Sequence, residues 1–477
     1  MITVSLLRKK LDQKEFSSVE LTKEYLKKIH ENEHLGAFNT ICEEEALISA
    51  SKADERIASG DALPLTGIPM AIKDNICTKG IKTTCSSKML ESYAPPYDAT
   101  VMEKLNSQNI VFLGKTSMDE FAMGGSSQTS ALSKPKNPFN TECVPGGSSG
   151  GSATAVSAGL CSAALGSDTG GSIRQPAAFC GITGIKPTYG TVSRFGLVAF
   201  GSSLDQIGPM ANSAEDCGII LNAIAGQDKH DRTTRKHDID FLSSIGNSIK
   251  GMKIGLPKEF FGDGIDEEVK AAVLNVAKFY ENMGAELVEV SMPTLKYAVS
   301  AYYLLACAEA SSNLSRYDGV KYGYRTQNPE SYDELIKKTR SEGFGTEVKR
   351  RILLGTYALS SGYYDAYYKK ALAVRQQCKA EHDEIFSKCD LMLTPTAPTV
   401  AYKAGANIND PVKMYLADIC TVTANIAGIP AISVPCGCDK SGMPIGFSLS
   451  AKRFDDAKLI GAADIFEKEN PHPTANI

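Results

Sequence analysis

The chain carries little with which to hold nucleic acid by itself. Among 477 residues, 51 Lys and Arg stand against 55 Asp and Glu, a formal net charge of −4, and no long basic run occurs. Phosphate contacts depend on clustered cations, so any nucleic acid is expected to be bound mainly through a partner. Long apolar runs are missing too. The first residues, MITVSLLRKKLDQKE, turn charged after seven positions, too early for a secretory core, and no segment has the uninterrupted apolar length of a membrane span. The cytoplasm is the expected location, without membrane contact. Thirteen cysteines follow no regular framework, and their odd number points to reduced thiols. Cys436 and Cys438 form a lone C-x-C pair with no second pair to complete a zinc site, so no metal is expected. Internal repeats and low-complexity tracts are also lacking.

Histidine is scarce where nucleophilic catalysis would use it. His30, His34, His230, His237, His382 and His472 all lie away from the glycine-rich loops in sequence. A serine or cysteine nucleophile needs a base within hydrogen-bond reach, so lysine becomes the better candidate. A phosphate-binding P-loop is missing as well: Gly114-Lys115-Thr116 ends like one, but Asn109 occupies the place of the first glycine.

What is present is a large α/β pattern. The apolar fraction of 43% is enough for a sizeable core. Ser17 and Glu20 make a capping box ahead of Leu21, Tyr25, Leu26 and Ile29 at helical spacing, which predicts a helix over 18–32. A second helix is predicted over 45–57. Residues 67–73, GIPMAIK, read as a buried strand of a mostly parallel sheet, ending in Lys73. A helix over 100–107 and a strand over 110–114 follow, then a helix over 151–158, a strand over 161–166 and a helix starting at Ser172. Strands at 252–256 and 286–290 flank a helix over 267–282. The stretch 295–388 reads as a helical, tyrosine-rich excursion, after which strands at 391–393, 431–434 and 445–449 alternate with helices over 417–427 and 456–467. The excursion's tyrosines read as core or interface residues rather than catalytic ones.

The densest chemistry lies in VPGGSSGGSATAVSAGLCSAALGSDTGGSIRQP, from Val144 to Pro176. Two serine-bearing glycine loops, Gly146-Gly147-Ser148-Ser149-Gly150-Gly151 and Thr169-Gly170-Gly171-Ser172, flank a short apolar run. Such loops can aim bare N–H groups at one point, as an oxyanion requires. Ser172 is either a nucleophile or an N-cap after a glycine turn. Ser148 is either a second working hydroxyl or a plain loop serine. Lys73 is either a base whose pKa burial lowers or a snorkelling strand cap.

The run from Gly146 to Pro176 resembles the amidase signature, through Asp168, Ser172, Arg174 and Pro176, and GIPMAIKDN puts Lys73 where that family carries its catalytic lysine. The resemblance implies one α/β/α domain over 1–477, with a large mixed, mostly parallel sheet, helices on both faces and a helical excursion over about 295–388. It also implies a Ser-Ser-Lys triad: Ser172 attacks an amide, Ser148 relays its proton to neutral Lys73, and the N–H groups of Thr169, Gly170 and Gly171, on to Ser172, hold the oxyanion. An acyl-enzyme would then be cleaved by water.

Further segments extend the likeness over nearly the whole chain: KTSMDEFAMGGSS at 115–127, SRFGLVAFGSSLDQIGPM at 193–210, RYDGVKYGYR at 316–325, KRRILLGTYALSSGYYDAYYKKA at 349–371 and MYLADICTVTANIAGIPAISVP at 414–435. These resemble the tRNA-dependent amidotransferase branch of the family. That branch implies glutamine as substrate, its α-carboxylate and α-amino groups bound by an arginine of KRRI and the aspartate of MYLAD, here Arg351, with Arg350 as the other choice, and Asp418. Read without the resemblance, either arginine is a surface charge and Asp418 a helix N-cap. Gln128 departs from the smaller or acidic residue expected after Ser127. The implied assembly is a heterotrimer with two further subunits, B and C, in which ammonia from this chain amidates Glu-tRNA(Gln). The charged tRNA would be held mainly by the partner, ATP and Mg would be used by the complex, and no cofactor would sit in this chain. The alternatives are a stand-alone amidase acting on another small amide and a non-enzymatic scaffold.

Overall fold

Residues 2–406 and 411–475 are described by a computed structural model of the chain. Among them, eleven strands join in one sheet: β1 (Phe38–Ile41), β2 (Pro69–Lys73), β3 (Val111–Thr116), β4 (Ala163–Asp168), β5 (Thr183–Lys186), β6 (Gln206–Ala211), β7 (Lys253–Pro257), β8 (Glu286–Val290), β9 (Leu391–Pro395), β10 (Ala431–Cys438) and β11 (Pro444–Ala451). Their order is β1-β3-β2-β4-β6-β5-β10-β11-β9-β7-β8. Every residue of β2 through β6 is buried, so both faces of the sheet are covered there.

The α/β alternation read from the sequence is present, but the sheet is not mostly parallel. Parallel pairing is confined to β3-β2-β4 at one end and β9-β7-β8 at the other. Antiparallel pairs join β4, β6, β5, β10, β11 and β9 through the middle and add β1 at the edge. An apolar run reports that a strand is covered on both faces; it does not report the direction of the neighbour.

Two predicted helices differ in a way that matters for the site. The helix expected from Ser172 is Arg174–Phe179, and Ser172 lies in the turn before it. The helix expected over 417–427 is confined to Val422–Ala427; a separate short helix, Pro411–Leu416, precedes it, with Asp418 in the turn between them. Asp418 is therefore not a helix N-cap.

The excursion consists of helices Leu295–Asn313, Tyr332–Gly343, Thr346–Leu359 and Lys369–Lys388. Its inner side shares a second apolar core, including Ala306, Cys307 and Val348, with Met118, Phe121, Phe200, Val422 and Ile426, and so stands against the glycine loops. The tyrosines divide: Tyr302 and Tyr303 are buried, whereas Tyr357, Tyr363, Tyr364 and Tyr367 are exposed. All thirteen cysteines are free thiols. No helix among the described residues is long and apolar enough to cross a membrane.

Helices Leu295–Asn313 and Thr346–Leu359 approach closely at Gly355, where a Cβ would collide with the Cys307 carbonyl. Overpacking of this kind costs about 1–3 kcal/mol. Gly355→Ala should therefore lower the thermal midpoint by several degrees in a melting experiment; an unchanged midpoint would contradict the close approach.

Candidate active site

Lys73 is the last residue of β2, and Ser167 and Asp168 are the last two of the neighbouring parallel strand β4. The site thus lies beyond the carboxyl ends of adjacent parallel strands, where open α/β sheets leave a crevice. Lys73 is wholly buried. Its Nζ lies 2.7 Å from Ser148 Oγ, 2.8 Å from Ser149 Oγ and 2.9 Å from Ser167 Oγ, with the Ser167 carbonyl oxygen at 3.2 Å. Asn75 Nδ2 donates to the same Ser167 hydroxyl at 2.9 Å. No carboxylate pairs with this lysine among the described residues. Burial pulls Lys73 down to about 7, against the opposing pull of Asp119, Asp168 and Asp205 at longer range. A neutral amine then has a lone pair to accept one of the surrounding hydroxyl protons.

Ser148 follows Gly147 through a cis peptide bond. Its carbonyl oxygen accepts from the Asp119 N–H at 3.2 Å. The other glycine loop is tied to this one: Ser149 N–H donates to the Ser172 carbonyl oxygen at 3.1 Å. The Ser172 hydroxyl makes no hydrogen bond among the described residues, and the residue keeps 8% of its surface exposed. The structure therefore joins Ser148 to Lys73 directly, while Ser172 is held by its backbone with its hydroxyl open.

Asp168 organises the loop that carries Ser172. Its carboxylate accepts from the N–H groups of Gly171 at 2.8 Å and Ile173 at 3.2 Å, from Arg174 Nε at 3.0 Å and Nη2 at 3.1 Å, and from Asn425 Nδ2 at 2.8 Å. Burial alone would raise this carboxyl; the Arg174 guanidinium beside it brings it to about 2. These bonds also alter the expected oxyanion site. The Gly171 N–H points to Asp168, whereas those of Thr169, Gly170 and Ser172 have no partner among the described residues.

Arg351 and Asp418 are brought together by aromatic rings. The Arg351 guanidinium lies 5.1 Å from the Tyr303 ring centre and 5.5 Å from those of Phe200 and Tyr415, while its Nε donates to Glu347 at 2.8 Å. Its terminal nitrogens donate to nothing among the described residues. Arg350 instead keeps a side chain 36% exposed and pairs with Glu347 from outside. Asp418 Oδ2 accepts from Tyr303 OH at 2.6 Å, and burial pushes its carboxyl up to about 6. Gln128 lines a cavity of about 370 Å³ together with Glu120, Arg350 and Glu347, the carboxylate that holds Arg351 Nε.

Sequence reasoning missed Ser149, Ser167, Asn75 and Tyr303. Asn75 stood in the same KDN run as Lys73, and Ser149 beside Ser148; Tyr303 gave no signal beyond its place in a tyrosine-rich helix. No histidine bonds to Ser148 or Ser172 among the described residues. His382, the buried one, meets the Cys378 carbonyl at 2.8 Å and is lowered by burial to about 4.

A buried lysine amine within a shell of serines, beside a glycine loop with free N–H groups, is an arrangement that can support serine chemistry without histidine. The chain belongs to the Amidase family, whose profile matches residues 20–460. It is 56% identical, over 98% of its length and 96% of the relative's, to the A subunit of glutamyl-tRNA(Gln) amidotransferase from Caldanaerobacter subterraneus subsp. tengcongensis. The crystal structure of the corresponding A subunit from Thermotoga maritima superposes with a TM-score of 0.81 at 41% identity, covering 100% of this chain and 98% of that one. The peptide amidase of Stenotrophomonas maltophilia gives 0.82 at 27% identity, covering 100% and 99%.

The Lys73 environment sets a pH dependence. The neutral amine accumulates as pH rises through about 7, so amide hydrolysis should climb through that range and level off above it. A rate profile flat from pH 6 to 9 would remove Lys73 as the titrating base.

Proposed function

We propose that this chain is the glutamine-hydrolysing subunit of a tRNA-dependent amidotransferase. It converts glutamine to glutamate and ammonia, and a partner subunit uses the ammonia to turn Glu-tRNA(Gln) into Gln-tRNA(Gln). The observation that carries the reading is one buried cation and one anion, Arg351 and Asp418, bridged by Tyr303 next to the serine–lysine cluster. A zwitterionic α-amino acid needs that pair, and a simple amide does not. Relatives more than half identical over nearly the whole chain bear the name of this subunit, which supports the same reading.

Glutamine lies with its α-carboxylate on the free terminal nitrogens of Arg351 and its α-ammonium on Asp418. Ser172 Oγ attacks the side-chain amide carbon as its proton passes to Ser148 and the Ser148 proton to the Lys73 amine. The oxyanion is received by the unpartnered N–H groups of the Thr169–Ser172 loop. Collapse of the tetrahedral adduct returns the proton to the leaving nitrogen and releases ammonia, leaving a γ-glutamyl ester on Ser172. Water activated by the same relay cleaves the ester, freeing glutamate and restoring the serine. The assembly is a heterotrimer with the B and C subunits in the cytoplasm. ATP with Mg activates the glutamyl group on the partner, a division that the small net charge and missing P-loop of this chain support.

Ser172→Ala and Lys73→Met should each abolish ammonia release from glutamine in the purified complex while leaving assembly intact; activity within about tenfold of wild type in either would sink the relay. Arg351→Lys keeps a charge for Glu347 and loses the planar fork. It should raise KM for glutamine by about 10- to 100-fold and leave turnover of propionamide unchanged. ATP and Glu-tRNA(Gln) together should stimulate ammonia release by the wild-type complex. Release that ignores both and prefers simple amides would mean a stand-alone amidase.

A further inference from the structure

The peptide unit that joins Gly170 to Gly171 is pinned at both ends. Its carbonyl oxygen accepts from Thr421 Oγ1 at 2.6 Å, and its N–H donates to Asp168 Oδ1 at 2.8 Å. A peptide is a rigid plane, so fixing its two polar ends fixes the direction of the units on either side. Those neighbouring units present the N–H groups of Gly170 and Ser172, which have no partner among the described residues. The Asp168 end of this clamp belongs to the family's signature run, whereas the Thr421 end comes from the opposite side of the site.

Thr421 is itself well held, with 1% of its surface exposed. Its N–H donates to the Asp418 carbonyl oxygen at 3.0 Å, and its own carbonyl oxygen accepts from Arg174 Nη1 at 3.1 Å. The hydroxyl also lies 3.1 Å from the Asp418 carbonyl oxygen. One hydroxyl has one proton to give, and the shorter contact is to Gly170. Loop and hydroxyl approach closely: a Cβ on Gly171, whose φ is +133°, would collide with Thr421 Oγ1. The same turn therefore carries Asp418 on one side and the clamp on the Gly170–Gly171 peptide on the other.

We infer that Thr421 is a positioning residue for the reaction: its hydroxyl orients the Gly170–Gly171 peptide so that the Gly170 and Ser172 N–H groups converge on the developing oxyanion, and it ties that loop to the turn that receives the substrate's amino group. The inference rests on the glutaminase reading and deepens it. Among the described residues the Thr421 hydroxyl bonds only to the Gly170 and Asp418 carbonyl oxygens and to no atom of Ser172, Ser148 or Lys73, so its removal is expected to act on the rate of the chemical step rather than on ground-state binding.

The test compares Thr421→Val and Thr421→Ser in the purified complex, with wild type and Ser172→Ala alongside, measuring kcat and KM for glutamine and the thermal midpoint. Valine preserves shape and removes the donor; serine keeps the donor and removes a methyl. Thr421→Val should lower kcat by about 10- to 100-fold with KM within about threefold, and Thr421→Ser should recover kcat to within about threefold of wild type. The inference is overturned if Thr421→Val retains kcat within about twofold, if KM rises while kcat holds, or if both variants lose kcat equally and melt early, which would make Thr421 a residue of the fold. Should the wild-type complex release no ammonia from glutamine, the glutaminase reading falls; should Ser172→Ala release it within about tenfold of wild type, the serine relay falls; either takes this inference with it. Normal wild-type activity and a dead Ser172→Ala, joined to a wild-type-like Thr421→Val, would remove the positioning role alone.

Discussion

A lysine side chain enclosed by protein, with hydroxyls and a carbonyl as its hydrogen-bonding partners, is the constraint from which this site follows. Ser148, Ser149 and Ser167 surround Nζ at hydrogen-bond distance, and no carboxylate among the described residues reaches it. Had Asp74, the next residue in the chain, met Nζ, the ammonium would have been stabilised and the base lost. Its carboxylate turns away instead, to the Thr84 hydroxyl and Asn39. Burial without a counter-ion holds the amine near neutrality, and the parallel pair β2-β4 is what makes such burial possible. Those strands carry Lys73 and Ser167 to one place with every residue covered.

Carboxylates near the site show how surroundings divide one functional group into different tasks. Asp168 meets Arg174 and three further donors through N–H groups and stays ionised, so it serves as a fixed anchor for the loop. Asp418 meets only a phenol and is pushed up to about 6 by burial. A carboxylate kept short of donors has capacity left for an incoming ammonium. The same logic applies to Arg351, whose Nε alone is engaged while aromatic faces cover its plane. Incomplete satisfaction in an otherwise well-bonded region is the mark of a place reserved for a ligand.

Much of this was legible in the sequence. The glycine loops, the strand ending in Lys73 and the alternation of helix and strand all follow from local pattern, because φ > 0 tolerance, apolar period and capping are local properties. Strand direction was not legible, since β4 and β6 read as apolar runs whichever way they pair. The start of the helix at Arg174 rather than Ser172 depends on Asp168 taking the Gly171 and Ile173 N–H groups, a contact that spacing alone does not announce. Arg351 could not be told from Arg350 by composition. Only the packing of the excursion turns one inward onto Tyr303 and leaves the other at the surface.

The site is also divided between two parts of the chain in a way that explains how relatives of low identity share its outline. Lys73, Ser148 and Ser172 come from the sheet and its glycine loops, while Arg351 and Tyr303 come from the helical excursion inserted between β8 and β9. The chemistry of amide cleavage asks for the first group whatever the amide; recognition of an amino-acid head group asks for the second. Asp418 and Thr421 lie in one turn that faces both, since the Thr421 hydroxyl reaches Gly170 while the Asp418 carboxylate meets Tyr303. The contact of Asp418 to Tyr303 and the contact of Thr421 to Gly170 therefore share one short piece of backbone, which places the helical excursion and the glycine loop on opposite ends of the same turn.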